Sequence, residues 1–505
     1  MAAKKIFRKL QGVRNMTKKT KLAVAFGGAF LLSAGASMTA MADWVQQGND
    51  WMYLDGSGNR VTDEWRQSNG YYFYLDNDGI MARDRWVDDE YYVDINGVRV
   101  TDRWIYSEDG TDGAPDSDGG WFYVGSNGRV LSDEWATING QRYRFDSDGS
   151  MLYGWYTDNN NLYYLGGPHD GAAKTGWLCL FYDPEDDDQE DGSVYEVDES
   201  GYGTWFYFSS NGRAVKADED ETYVSRNING YRYYFDENGV MATGWASVAN
   251  QASDDVTGIS TLKYFGAPNQ GQMAEGWVYL YDDPEDSDDD NNFSFNTASA
   301  SNAQRNDWGD GAWYYFDSSG VPVYLEFDAS TLTEATTRIN GERYFFDEYG
   351  RMQSGLLGIQ LSDGTVVSAY FGADDSDGAM KTGRVTNVVE EDGEISTFYF
   401  TTATGGQTGV RNGYLYSNGK LVQAEDGEDY QVFNINGTLY LVNESGRVQD
   451  SNRTYRVDGE YRYEYDNGTI YYINDDRERL GQVTSGSRAP YIAYEAIYQL
   501  SGQTE

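Results

Sequence analysis

The sequence predicts an all-β fold, in the form of a solenoid of stacked β-hairpins built from repeats of about 20 residues. Its composition supports this, because the 505 residues include 59 Gly and 44 Tyr but only 7 Pro. Tyrosine favours strands, and glycine suits the tight turns between them. Repetition is the second support: the segment 228–245, INGYRYYFDENGVMATGW, returns in similar form at 138–155 and 339–356. Since one isolated hairpin cannot bury its aromatic side chains, each repeat is expected to cover the next.

We interpret the segment 228–245 as one complete hairpin with a terminal Trp. The Asn-Gly pair that begins at Asn229 marks its first turn. Gly239 ends the second turn, where it supplies the positive φ that tight hairpin turns need. The return strand is then expected to begin at Val240, and Trp245 to close the unit.

Residues 1–42 are predicted to be a signal peptide. Lysines precede the apolar run at 22–36, and Ala-Met-Ala at 40–42 provides a cleavage site of small residues. The apolar run is short for a membrane span, and no later segment is apolar enough to cross a bilayer. The mature protein is expected to begin at Asp43. The sequence leaves open whether the start is Met1 or Met16.

Repeat length divides the mature chain into regions. The first contains Trp44, Trp65 and Trp86, which recur every 21 residues. Acidic inserts at 183–192 and 282–292 are predicted to be loops, because insertions there cost little loop entropy. The predicted regions are short hairpin repeats at 43–103, three long super-repeats with the acidic insert loops at 104–383, degenerate hairpin repeats at 384–485, and a cap or tail at 486–505.

The charge of the chain narrows the range of partners. Its net charge is −44, and removal of residues 1–42, which hold eight Lys or Arg and no acidic residue, leaves −52. Such an acidic protein is not expected to bind nucleic acid or an anionic membrane. Cationic ligands and neutral glycans remain as expected partners.

The sequence gives little support for catalysis or for a metal site. Cys179 is the only cysteine, so no disulfide framework is possible within the chain and the thiol is expected to pack as a small apolar group. His169, the only histidine, is replaced by Asn269 in the next copy of its hairpin and is expected to be a loop residue. The DNDG and DSDG segments at 76–79 and 146–149 predict turns rather than calcium loops. No non-repeat segment is long enough for a catalytic domain, so we expect neither an enzyme, a cofactor nor a metal.

Taken together, the repeats resemble the cell-wall-binding, choline-binding-type repeat family, and the related repeats of glucan-binding proteins and clostridial toxins. The shared pattern is Gly-Trp, a spacer, an aromatic triplet such as WFY at 205–207, a turn Gly, and Met-x-x-Gly-Trp. The resemblance covers roughly 43–481. It implies a hairpin solenoid that attaches non-covalently to a wall polymer or glycan, at the cell-wall surface or after secretion.

In choline-binding members of the family, aromatic side chains of adjacent hairpins form cages for a quaternary ammonium group, held by cation–π attraction. A Trp at hairpin period also has a purely structural interpretation as a core residue, and the sequence leaves both open. The resemblance implies candidate ligand-binding positions at Trp44, Trp51, Trp65, Tyr72, Trp121, Trp155, Trp177, Trp205, Trp245, Trp277 and Trp313.

Some hairpins depart from the cage pattern. Arg142, Arg232 and Arg343 stand where the aromatic triplet would begin, and Glu90 takes that place beside Trp86. A fixed cation repels choline. These positions are similar instead to the glycan-binding branch, in which aromatic faces stack on sugars.

The sequence therefore predicts an exported, non-catalytic surface protein that binds a wall polymer or glycan, with choline or a carbohydrate as ligand. One alternative is a secreted adhesin, lectin or spacer that binds host or neighbouring glycans. A further alternative is the binding subunit of a wall hydrolase. The ligand, the number of working sites and the oligomeric state stay open.

Overall fold

The computed structural model describes residues 43–180, 204–248, 259–267, 269–280, 311–325, 329–487 and 490–494. They belong to two compact units that divide after Leu131. The described residues are nearly all β, with only a 3-10 turn at Ile259–Thr261 and the four-residue helix α1 at Leu332–Ala335. This confirms the all-β prediction. The predicted signal peptide at 1–42 lies outside the described residues.

In the first unit, the described strands form four separate two-stranded antiparallel sheets, each pairing one strand with the next along the chain. Their strands are β1 Asp43–Gln47, β2 Asp50–Leu54, β3 Glu64–Ser68, β4 Tyr71–Leu75, β5 Arg85–Val87, β6 Tyr91–Val93, β7 Arg103–Ser107 and β8 Gly120–Val124.

The second unit begins in the same way, with eight further two-stranded sheets in its described part. Their strands are β9 Trp135–Ile138, β10 Gln141–Arg144, β11 Trp155–Asp158, β12 Asn161–Tyr164, β13 Gly176–Leu180, β14 Thr204–Phe208, β15 Val224–Ile228, β16 Tyr231–Phe235, β17 Trp245–Ser247, β18 Leu262–Tyr264, β19 Gly276–Leu280, β20 Ala312–Phe316, β21 Thr337–Ile339, β22 Glu342–Tyr344, β23 Leu356–Gln360 and β24 Val366–Tyr370.

The acidic inserts at 183–192 and 282–292 lie outside the described residues. The strands on either side of them are described, however, and β13 pairs with β14 while β19 pairs with β20. Each insert therefore connects the two strands of a single hairpin.

From Gly383 onward the sheets are larger, with six, three and four strands, and some strands reach seven residues. The short strand β37 runs parallel to β31, so part of the predicted C-terminal cap returns to this region. No Trp follows Trp313 in the sequence, and the buried cores here contain tyrosine and aliphatic side chains. The strands are β25 Gly383–Val389, β26 Ile395–Thr401, β27 Gly405–Gly406, β28 Gly409–Arg411, β29 Tyr414–Ser417, β30 Lys420–Leu421, β31 Tyr430–Ile435, β32 Thr438–Asn443, β33 Arg453–Val457, β34 Glu460–Asp466, β35 Thr469–Ile473, β36 Arg479–Gln482 and β37 Ile492–Ala493.

The hairpin boundaries differ from those we expected for 228–245. Asn229 and Gly230 both have positive φ, 52° and 89°, and this two-residue turn joins β15 to β16. The first strand therefore precedes the Asn-Gly pair, whereas we expected it to follow. The expected return strand is reduced to one bridge between Phe235 and Met241, and Trp245 opens the next hairpin.

The second turn of several hairpins is built by an aspartate. Oδ1 of Asp76 accepts hydrogen bonds from the backbone N–H groups of Asp78 and Ile80, and its carbonyl accepts one from Gly79. Asp146 makes the same bonds at 146–149. An aspartate that bonds its own following backbone is a common turn former, so both DxDG segments are turns, as predicted.

Successive hairpins are tied together by a backbone hydrogen bond. We call the residue that forms the single bridge after the second turn the bridge residue, and the residue four positions before the first residue of that turn the leader. In four described cases, the N–H of the bridge residue donates to the carbonyl of the preceding hairpin's leader, at 2.7 to 2.9 Å. The pairs are Met81 with Trp51, Arg99 with Tyr72, Met241 with Trp205 and Met352 with Trp313.

Candidate ligand-binding site

In the described part of the second unit, two pairs of tryptophans form perpendicular walls on the hairpins. The ring centroids of Trp177 and Trp205 are 6.3 Å apart with an interplanar angle of 80°, and those of Trp277 and Trp313 are 6.4 Å apart at 85°. In each pair the first Trp opens the hairpin and the second is its leader, two residues before the tyrosine that pairs with the opening Trp. Because side chains two apart share one face of a strand, the register itself places both indoles together.

A methionine completes each of these arrangements. Met241 belongs to the buried cluster against which Trp177 and Trp205 pack, and Met352 holds the same position for the Trp277 pair. We call the combination of opening Trp, leader and bridge residue an aromatic corner. In the part of the chain that the structure describes, no Arg or Lys lies over either indole of these two corners, which we call open.

A third corner of the same kind lies in the first unit. Trp44 and Trp51 pack against the cluster that contains Met81. Trp44 also contacts Tyr53 and Phe73, with centroid distances of 5.3 and 5.2 Å. This site is therefore built from the same three kinds of residue as the corners of the second unit.

The next corner of the first unit contains an arginine. The guanidinium carbon of Arg99 lies 4.3 Å from the ring centroid of Tyr72, 5.5 Å from that of Tyr91 and 5.7 Å from that of Trp65. All three distances are within the range of cation–π attraction. Of the eleven candidates, only Tyr72 is classed as exposed, at 37% of its surface.

The arginine leaders have internal partners. The Arg142 guanidinium lies 4.0 Å from the Trp135 ring centroid, and its Nη1 donates to the Asn211 carbonyl. Nη1 of Arg343 donates to the carbonyl oxygens of Thr333 and Thr336 at the end of α1, where partial negative charge favours a cation. These side chains serve the chain's own rings and carbonyls.

The remaining candidates lie in other surroundings. Trp155 packs on Phe206 with a centroid distance of 4.9 Å, and Trp245 packs on Tyr314 at 5.3 Å. Their hairpins carry Leu162 and Leu262 at the leader position, so these two hairpins have no aromatic leader.

Trp121, the last of the eleven, pairs with Trp104 at 6.4 Å and 84°. Trp104 is not among the sequence candidates, although it opens its hairpin just as Trp177 does. The signal for Trp104 was present, because it follows Trp86 by 18 residues and precedes the aromatic segment that begins at Trp121.

Other residues of the corners were also missed. Tyr91 and Tyr233 approach the opening Trp of the preceding hairpin, with Tyr233 4.7 Å from Trp177. Arg99 was missed as well. The signal for Arg99 was present, because it stands where the other repeats carry Met, six residues after Val93.

The single Cys and single His occupy the expected kinds of position. Cys179 is half-buried in β13, directly across from Trp205 in the strand register. His169 lies exposed in a turn after β12, as predicted for a loop residue. In the part of the chain that the structure describes, no three His, Cys, Asp or Glu side chains converge on a common point.

Burial changes the titration of several groups near the hairpin ends. Burial, with a hydrogen bond to Asp63, raises the pKa of Tyr74 far above its ordinary value. Burial also raises the pKa of Asp236, although three backbone N–H groups of its turn oppose that shift. These groups belong to the turns and to the pairs that hold the hairpins, and none of them lines an open corner.

Two protein-family models match the chain. The choline-binding repeat matches residues 131–177, and the cell wall binding repeat matches residues 63–81, 199–214, 226–241 and 306–321. The chain carries cell-wall-binding repeats of the choline-binding type. This confirms the resemblance inferred from the repeats. Six of the eleven candidates fall inside the matched residues: Trp65, Tyr72, Trp155, Trp177, Trp205 and Trp313.

Similar proteins include glucosyltransferases. Glucosyltransferase-S of Streptococcus mutans is 26% identical over 243 residues, which is 48% of this chain and 12% of that protein. The chain covers 12% to 20% of the lengths of the curated glucosyltransferases that it matches.

Two solved structures from Streptococcus pneumoniae are also similar. The modular autolysin LytC is 21% identical, with a TM-score of 0.34, and the match covers 62% of this chain and 53% of that one. The choline-binding domain of CbpL is 23% identical, with a TM-score of 0.30 and coverage of 47% and 98%. Among the described residues of this chain, none of the helical segments has the length and apolar character to cross a membrane.

Proposed function

We propose that this protein is an exported, non-catalytic cell-surface protein that binds a wall polymer or glycan non-covalently through its aromatic corners. The observation that carries the proposal is the pair of open corners, Trp177 with Trp205 and Trp277 with Trp313. Two perpendicular indoles over a methionine offer a concave, apolar and electron-rich surface. A quaternary ammonium group such as choline fits that chemistry, because it is cationic and cannot donate hydrogen bonds.

The charge of the chain favours such a ligand. A net charge of −44 raises the local concentration of cations around the whole protein. The family models also support the wall as the place of binding, since both describe repeats of that type. Localisation at the cell-wall surface, after removal of a signal peptide, is part of the proposal.

One corner alone binds weakly. A cation–π contact is worth about 0.5–2 kcal/mol per ring, and the ordering of a flexible ligand offsets part of this. A polymer that carries the ligand group repeatedly can engage several corners at once. Its overall affinity for the protein can then exceed the affinity of a single corner by about 10²–10⁴-fold. We therefore propose that the hairpins of each unit stack as a solenoid that presents its corners to one polymer.

Carbohydrate is the second candidate ligand. It is favoured by the sequence similarity to glucosyltransferases and by the half-buried aromatic rings that can stack on the apolar face of a sugar. A neutral glycan does not need the cation–π term, so the two ligand classes respond differently to competitors.

Co-sedimentation with isolated cell walls of the producing bacterium tests the proposal. The chain from Asp43 to Glu505 is mixed with walls in the presence of choline chloride, the same concentration of sodium chloride, or soluble glucan. Release by choline alone identifies an ammonium ligand, and release by glucan alone identifies a sugar. A protein that stays in the supernatant without competitor would show that it does not bind the wall.

Leader variants supply the matched control. Trp205→Ala and Trp313→Ala remove one wall from each open corner, and together they are expected to reduce pelleting strongly. Tyr72→Ala removes the leader of the corner that Arg99 occupies, and it is expected to leave pelleting unchanged. Equal loss in all three variants would contradict the assignment of binding to the open corners.

A further inference from the structure

We infer that Arg99 is a built-in cation that occupies the Trp65 corner and closes it to external ligands. The ligand class, an organic cation, rests on the proposed function of the open corners. The inference itself concerns the Trp65 corner and predicts that this corner, unlike the open ones, binds no external cation.

The geometry of Arg99 is that of a bound ligand. Its guanidinium faces Tyr72 at 4.3 Å, Tyr91 at 5.5 Å and Trp65 at 5.7 Å, so three rings surround one charge. The rings come from two successive hairpins, β3–β4 and β5–β6. The arginine extends from the end of the second hairpin, which makes the contact fully internal to the first unit.

The backbone places this side chain reliably. Arg99 N–H donates to the Tyr72 carbonyl at 2.8 Å, the same bond that Met241 makes with Trp205 in an open corner. Arg99 and Met241 are therefore equivalent bridge residues on equivalent scaffolds. What differs is that one sends a guanidinium between the rings and the other sends a thioether.

The neighbouring hairpin accommodates the arginine. A Cβ on Gly128 would lie 2.6 Å from Arg99 Nε, so a larger residue there would collide with the guanidinium stem. Nε is buried and makes no hydrogen bond among the described residues. The guanidinium is thus held mainly by ring faces, which is the environment that an ammonium ligand would otherwise occupy.

A second corner is filled by another route. Arg142 stands at the leader position of its hairpin in the second unit and lies 4.0 Å from the Trp135 ring centroid and 5.7 Å from that of Tyr163. Its Nη1 is anchored on the Asn211 carbonyl at 2.8 Å. The chain therefore fills aromatic corners with its own arginines at two different positions of the repeat.

Counting choline sites by equilibrium dialysis tests the inference. In the purified protein, Arg99→Met installs the residue that open corners carry at this position, and the number of bound choline molecules per chain is expected to rise by one. Arg99→Lys retains a cation and is expected to add no site. Arg60→Met is the matched control, because Arg60 is the bridge residue of the first hairpin and is not stacked on a described ring.

The outcomes separate this inference from the proposed function. One added site in Arg99→Met supports the inference, whether or not the unaltered protein binds choline. If Arg99→Met is folded, with an unchanged far-UV circular dichroism spectrum, but binds no additional choline, the inference about Arg99 is wrong. That result would not affect the test of choline binding at the open corners. A gain of the same size in Arg60→Met would also overturn the inference, because the effect would then not depend on the Trp65 corner.

Discussion

The Trp65 corner and the Trp177 corner are built on the same scaffold and differ in what they hold. Both have an opening Trp, an aromatic leader and a bridge residue whose N–H binds the leader's carbonyl. In the first, the bridge residue is Arg99 and its charge lies among the rings. In the second, it is Met241 and the indoles face an apolar floor.

The difference shows how a repeat protein can vary its sites without changing its fold. The walls of a corner follow from strand register, and strand register is fixed by the turns and by the buried face of each hairpin. The bridge residue lies at the edge of that core, so Met and Arg are both tolerated there. A change at the bridge position or at the leader position is thus expected to alter access to a corner while the hairpin keeps its register.

The largest effect is expected for Trp177→Ala. This indole contacts Trp205, Tyr207, Tyr233 and Phe235, with the shortest centroid distance at 4.7 Å. Its loss is expected to cost about 3 kcal/mol of unfolding free energy, measured by urea denaturation. Trp205→Ala is expected to cost clearly less and yet to remove the same ligand site. Equal losses of unfolding free energy in the two variants would contradict the view that Trp177 mainly supports the fold and Trp205 mainly contacts the ligand.

Met241→Arg is the converse of the Arg99 substitution. The new guanidinium can reach Trp177 and Trp205 from the position that Arg99 occupies in its own corner, and one choline site per chain is expected to disappear. Dialysis measures the number of sites, and Met241→Leu controls for loss of the thioether. An unchanged number of sites in Met241→Arg would show that the bridge residue does not control access.

A smaller effect is expected for Gly128→Ala. Gly128 has a φ of 80°, which costs an alanine roughly 1–2 kcal/mol, and the added Cβ also meets Arg99. Gly70 has a φ of 83° with open space around its Cβ, so Gly70→Ala carries the backbone cost alone. The difference between their melting temperatures measures the collision with Arg99. Equal melting temperatures would indicate that Arg99 moves aside freely.

The smallest effect concerns Asp317, which forms the turn after β20. Burial alone would raise its pKa, but hydrogen bonds from Ser319 and Val321 and the charge of Lys263 bring the pKa below its ordinary value of 3.8. A carboxylate with a lowered pKa in the folded state stabilises the fold above pH 3.8, and this contribution is lost as the pH falls through the lowered pKa. The melting temperatures of the protein and of Asp317→Asn are therefore expected to converge in acid. A gap that stays constant with pH would contradict this.

Much of the fold could be predicted from the sequence because its signals are local. Asn-Gly pairs, DxDG turns and aromatic strands each report on a few neighbouring residues, and the all-β class and the turns at 76–79 and 146–149 are confirmed. The hairpin boundary at Asn229 was wrong, because a turn can join either the strands before it or those after it. Only the pairing of β15 with β16 resolves this.

The site was less predictable because it depends on contacts between hairpins. Nothing in the local sequence distinguishes Trp177, which has an indole partner, from Trp155, whose hairpin has a leucine as leader. The two are separated by what stands in the partner strand, Trp205 or Leu162. Arg99 was overlooked for the same reason, since its rings come from β3, β4 and β6.

The distribution of tryptophan allows two regions of the protein to be followed separately by spectroscopy. All 14 Trp lie between Trp44 and Trp313, whereas the larger sheets from Gly383 to Gln482 contain tyrosine and phenylalanine but no tryptophan. With excitation selective for indole, fluorescence reports on the hairpins that carry the corners and is silent about those larger sheets. Comparison of the indole signal with far-UV circular dichroism during denaturation therefore shows whether the two regions unfold together.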